Sequence, residues 1–89
     1  MKRIYKYKIE VVEKPWVNMP EGAIILDVQV QHGELCLWAM VDPSRNFIRR
    51  TFHLYGTGHD ITDIKNPRHI ATFQLHGGSF VGHLFEDLD

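Results

Sequence analysis

Apolar and polar residues alternate along most of this chain with a period of two, the spacing of half-buried strands rather than of helices. In "IYKYKIEV", Tyr5, Tyr7, Ile9 and Val11 fall on one face, with Lys6, Lys8 and Glu10 on the other. "AIILDVQVQ" groups Ile24, Leu26, Val28 and Val30, and "LCLWAMVD" is apolar on both faces. The short turn "HGE" between these two runs predicts a hairpin. "KPWVNMPEGA", with two prolines and a Glu-Gly turn signal, reads as an extended connection, and "DPSRN" as a turn with Pro at its second position. "IRRTFHLYG" alternates weakly. "HIATFQLH" and "SFVGHLFE" predict a second hairpin through Gly77 and Gly78. The longest irregular stretch, "TGHDITDIKNPRH", has room for a single helical turn from Asp60 or Thr62 but no sustained helical period.

The pattern implies a mainly β protein: a small antiparallel β-sandwich or barrel of six to seven strands with little helix. With 89 residues the chain supports one core, so residues 1–89 read as a single domain. "LCLWAMV" needs cover on both faces, and no helix is present to supply it. A second sheet or a second copy of the chain would, which predicts a homo-oligomer.

Composition adds exclusions. At 44% apolar and 24% charged the chain is globular in type. Ten Lys and Arg against 11 Asp and Glu leave a formal charge of −1, without the cationic field of a nucleic-acid binder. In "RIYKYK" the tyrosines and lysines lie on opposite faces, which also argues against a single-strand binder. Protonating all six histidines would move the charge from −1 to +5, so acid conditions change what the surface attracts. Cys36, the single cysteine, forms no internal disulfide and reads as a small buried hydrophobe. The charged, alternating N-terminus is unlike a signal peptide, and no apolar run has membrane-spanning length. A reducing cytoplasm is the expected compartment.

Candidate chemistry centres on a repeated phrase. "FHLYGTGH" and "FQLHGGSFVGH" each end an apolar strand in a glycine-rich bend beside histidine. Successive amides in such bends form concave nests of N–H donors that bind anions. Glycine permits positive φ and leaves no Cβ in the way of a phosphate. The predicted ligand site therefore takes Gly56, Gly58 and Gly77 as amide donors, Arg49 and Arg50 as phosphate partners, and His59 and His76 beside them. Tyr55 or Trp38 would stack on a base. Arg68 lies in the same stretch of chain. The plainer reading, ordinary loops and a solvated arginine pair, stays open on spacing alone. No strong metal-ligand spacing occurs; a cross-sheet zinc site of His59, His76 and Asp60 is the arrangement left over. Ser79 follows "HGG", but the strand-turn-helix elbow of an esterase needs helices this chain lacks. No catalytic residue, metal or cofactor is indicated.

The run "MPEGAIILDVQVQHGELCLWAMVDP", followed by "RTFHLYGTGH" and "ATFQLHGGSFVGHLFE", resembles a family of small, mostly uncharacterised β-proteins of tailed bacteriophages and prophages. The resemblance spans nearly the whole chain, from "RIYKY" to "HLFE". It implies a phage accessory protein acting in the host cytoplasm. By analogy with small phage proteins that act as sponges, it implies a non-catalytic, anti-defence role: sequestering a nucleotide-type immune signal, a cyclic oligonucleotide or an ADP-ribose derivative. The alternative is a protein-interaction module that blocks a host protein or takes part in phage assembly, with "RIYKYK" or "SFVGHLFE" extending a partner's sheet. A second alternative is a small phosphodiesterase that degrades such a signal.

Overall fold

The computed structural model describes residues 1–89 as eight strands. These are β1 (Arg3–Lys8), β2 (Trp16–Pro20), β3 (Ile24–Gln31), β4 (Glu34–Val41), β5 (Phe47–Thr51), β6 (His53–Gly56), β7 (Pro67–Leu75) and β8 (Phe80–Asp87). They form three small antiparallel sheets, ordered β1-β4-β3, β2-β5 and β6-β8-β7. The first hairpin forms where the pattern places it. His32 and Gly33 take positive φ, 52° and 77°, as a two-residue turn of the I′ type requires, and Gln31 pairs with Glu34 across it.

Two features raise the strand count to eight. The segment that reads as a connection, 16–20, pairs with β5 from Trp16↔Thr51 to Pro20↔Phe47, and Pro20 closes the strand where its missing N–H matters least. The run 47–56 is broken at Phe52. Its N–H donates to the Pro15 carbonyl (2.8 Å) and that of Leu54 to the Glu13 carbonyl (2.9 Å), while the Phe52 ring is fully buried. The chain thereby leaves β2 and continues in the third sheet beside β8. No helical turn forms at Asp60 or Thr62; the one helical turn is a 3-10 turn at His76–Gly78.

All three sheets share one core. The first contributes Leu35, Leu37, Ala39 and Val41 from β4, the second Val17 and Met19, and the third Leu54, Phe73 and Leu84. Tyr5, Tyr7 and Ile9 face it as the alternation predicts, whereas Val11 lies beyond the end of β1 and is exposed. A β-bulge between Ile25 and Asp27 changes the expected face of β3. Ile25, Val28 and Val30 turn inward, and Ile24 and Leu26 are left about half exposed. A second bulge interrupts β7 between His69 and Ala71. Cys36 is buried and free. Of the other residues on its face of β4, Glu34 is exposed and Trp38 and Met40 are only partly covered.

Candidate functional site

The third sheet collects most of the chemistry-bearing residues. β8 lies in its centre, so whatever its neighbours pair with it becomes adjacent. Gly56, at the end of β6, pairs with Gly82, and Leu75, at the end of β7, pairs with Phe80. The two glycine bends therefore emerge at the same end of the sheet, separated by the width of one strand. The Thr57 N–H ties the first bend to that strand by donating to the Val81 carbonyl (3.3 Å).

Each bend closes on itself with one backbone hydrogen bond, His59 N–H to the Gly56 carbonyl and Ser79 N–H to the His76 carbonyl. The N–H groups of Gly58 and Gly77 take no part in these turn bonds. The second bend holds three successive left-handed residues, His76 (φ 53°), Gly77 (67°) and Gly78 (95°). Such a run is open to glycine and strained at His76, and local strain of this kind concentrates at binding sites. His59 folds back so that its Nδ1 accepts from the Gly56 N–H (3.2 Å).

Above the bends, the outward face of the sheet is aromatic and rich in imidazole. Tyr55 meets Phe85 edge-on at 5.8 Å, His69 meets Phe85 at 5.3 Å, and His53 stacks on Tyr55 at 6.4 Å and 9°. A hydrogen-bonded chain runs across the strands. His69 Nε2 lies 3.0 Å from the Thr72 hydroxyl, which lies 2.9 Å from His83 Nδ1, and His83 Nε2 lies 2.7 Å from the Thr57 hydroxyl. A neutral imidazole donates from one nitrogen and accepts at the other, so the His83 tautomer orients both hydroxyls; protonated His83 donates to both.

One flank is acidic. Glu13, Asp60 and Asp63 line a shallow cavity of about 330 Å³ with Leu54, Tyr55 and Thr62. The Tyr55 hydroxyl donates to Asp63. Partial burial and that bond push the Tyr55 phenol up to about 12. The same bond holds the Asp63 carboxyl below the usual carboxylate range, with His53 and Lys14 acting in the same direction. His53 is buried, and its Nδ1, 3.7 Å from the Asp63 carboxylate, makes no hydrogen bond.

Of the residues the sequence singles out, Tyr55, Gly56, Gly58, His59, His76 and Gly77 all lie on this sheet or its bends. Arg49, Arg50 and Trp38 do not. Arg49 stacks over Trp16 on the outside of the second sheet, 4.0 Å from the ring centroid. Arg50 points the other way. It makes a two-pronged pair with Glu86 (2.7 and 3.1 Å) and donates to the Ala23 carbonyl, with side-chain exposures of 20% for Arg50 and 13% for Glu86. This pair floors a cleft between β3 and β7 where the two bulges meet, with Arg68 and Asp27 on its walls. Trp38 lies on the outward face of the first sheet, under the Lys6 ammonium. His59, His76 and Asp60 do not converge: no three His, Cys, Asp or Glu side chains sit close enough to hold a metal ion. No helix is long and apolar enough to cross a membrane.

The strongest additions to the sequence-based set are His83, Thr72 and Phe85. Cross-strand pairing alone brings them together, Thr72↔His83 on one side of β8 and Tyr55↔His83 on the other. The alternation of "SFVGHLFE" carries a signal for this, since Val81, His83 and Phe85 share the face opposite Gly82 and Leu84.

Residues 1–89 match the model of a domain of unknown function, DUF7352, and the chain belongs to that family. No curated protein and no solved structure matches it.

Proposed function

We propose that this DUF7352 protein is a non-catalytic binding protein that sequesters a small nucleotide-type ligand on the outward face of its third sheet. The observation that carries the reading is the meeting of two glycine bends at one end of an aromatic, imidazole-bearing surface. Free amides at Gly58 and Gly77, with His59 and His76 beside them, suit phosphate oxygens. Phe85 and Tyr55 suit a base, which any π-face can stack on. The carboxylates of Asp60 and Asp63 suit the amino groups of a base edge. Sequestration needs ground-state complementarity alone, whereas turnover would need groups that favour a transition state.

The resemblance to small phage proteins makes a bacterial immune messenger the ligand class to test first, with the protein acting in the host cytoplasm as an anti-defence sponge. Thermal-shift and calorimetric titration against cyclic dinucleotides, cyclic trinucleotides and ADP-ribose species is the experiment. Free ligand at a hundred times Kd stabilises the native state by about 2.7 kcal/mol, which for a domain this small raises Tm by roughly 10–20 °C. Phe85→Ala and His83→Ala should abolish the shift of a true ligand. A flat response across the whole panel overturns the reading.

A further inference from the structure

We propose that the outward face of the first sheet is the interface of a homodimer whose two-fold axis runs parallel to β4. On that face the register sets side chains in rows across β1, β4 and β3. One row is Ile4, Met40, Ile24; the next is Lys6, Trp38, Asp27; the third is Lys8, Cys36, Gln29. Ile4 is 64% exposed and Ile24 50%, with Met40 and Trp38 partly covered between them. The centre is thus apolar, with the Lys6 cation on the β1 side and the Asp27 anion on the β3 side; Lys8 is already paired with Glu34 on the same face of β4 (3.2 Å).

This arrangement selects one symmetry. A two-fold axis parallel to β4 lays β1 of one chain over β3 of the other without shifting the rows. Ile4 then meets Ile24, Lys6 meets Asp27, and Trp38 and Met40 meet their own copies. A two-fold axis lying across the strands would instead place Lys6 on Lys6 and Asp27 on Asp27. The favoured packing is isologous and aligned, as two sheets stacked face to face require. Lys6 now bonds Gln31 and lies over Trp38, and Asp27 accepts from Gln29 and from the Val28 N–H; the two glutamine contacts are exposed hydrogen bonds that exchange at little cost.

The shape of the molecule agrees. It measures 40 × 32 × 16 Å with a radius of gyration of 13.3 Å, where a compact chain of this length has about 12 Å. Its accessible surface is 5888 Å², against about 5,400 Å² for a monomer of this mass. A thin slab with one apolar, charge-matched broad face suits pairing of slabs.

Sedimentation equilibrium of the full chain over a wide concentration range, with circular dichroism to verify folding, tests the proposal. The wild type should dimerise. Lys6→Glu and Asp27→Lys should each weaken the dimer roughly a hundredfold, since each change acts twice across the axis. The double variant should regain most of the affinity. A wild type that stays monomeric at every concentration overturns the proposal. So does a dimer indifferent to both single changes, and so does a double variant no tighter than the singles.

Discussion

Glu86→Gln removes the charge that the Arg50 guanidinium is built around and leaves the cation held between two sheets. In the wild type both prongs of the fork are engaged, at 2.7 and 3.1 Å, and a third donor reaches the Ala23 carbonyl. Removing one partner of a fully buried pair costs about 3–5 kcal/mol. Side-chain exposures of 20% and 13% let some water reach the stranded charge, so the expected loss is about 2–3 kcal/mol. At roughly 4–8 °C per kcal/mol for a domain of this size, Tm should fall by about 8–24 °C. Urea denaturation of Glu86→Gln, Arg50→Met and the Arg50→Met/Glu86→Leu double variant measures it. The double variant should lie within about 1 kcal/mol of wild type, because two apolar side chains replace two desolvated charges, less the unpaired Ala23 carbonyl. Added salt should change the wild-type pair little, since partly buried ions are poorly screened. If Glu86→Gln costs less than about 0.5 kcal/mol, the pair is not an anchor between sheets, and a ligand-facing role for Arg50 returns.

Two further expectations follow from close contacts and from titration. A Cβ on Gly82 would lie 2.5 Å from Phe73 Cζ, against a ring that is only 5% exposed, so Gly82→Ala should cost about 1–3 kcal/mol by overpacking; a variant as stable as wild type in urea would contradict that. The Tyr55 phenol titrates near 12 rather than 10, so its contribution to stability is fully present below pH 10 and is lost as pH rises through about 12. The partner carboxyl, Asp63, is depressed, so its contribution is present above the unfolded carboxylate range and is lost as pH falls through the lower folded value. Tyr55→Phe should remove tyrosinate absorbance that develops near pH 12, and the same variant should flatten the acid limb of the stability profile; absorbance lost near pH 10 instead, with an unchanged acid limb, refutes the Tyr55–Asp63 bond.

Most of the strands, the first hairpin and the two glycine bends are legible in the chain itself, because each rests on neighbours a few residues apart. Alternation in "IYKYKIEV" and positive φ at Gly33 need no knowledge of partners. Tertiary structure decided the rest. Whether Ile24 or Ile25 faces inward depends on a bulge against β4, and a period of two carries no information about an extra residue opposite a distant strand. Segment 16–20 looks like a connection until β5 offers it hydrogen bonds. Arg49 and Arg50 look like an exposed pair until Trp16 claims one and Glu86, 36 positions away, claims the other. That the two bends share one end of a sheet follows from β8 lying between β6 and β7, a long-range pairing that no local pattern encodes.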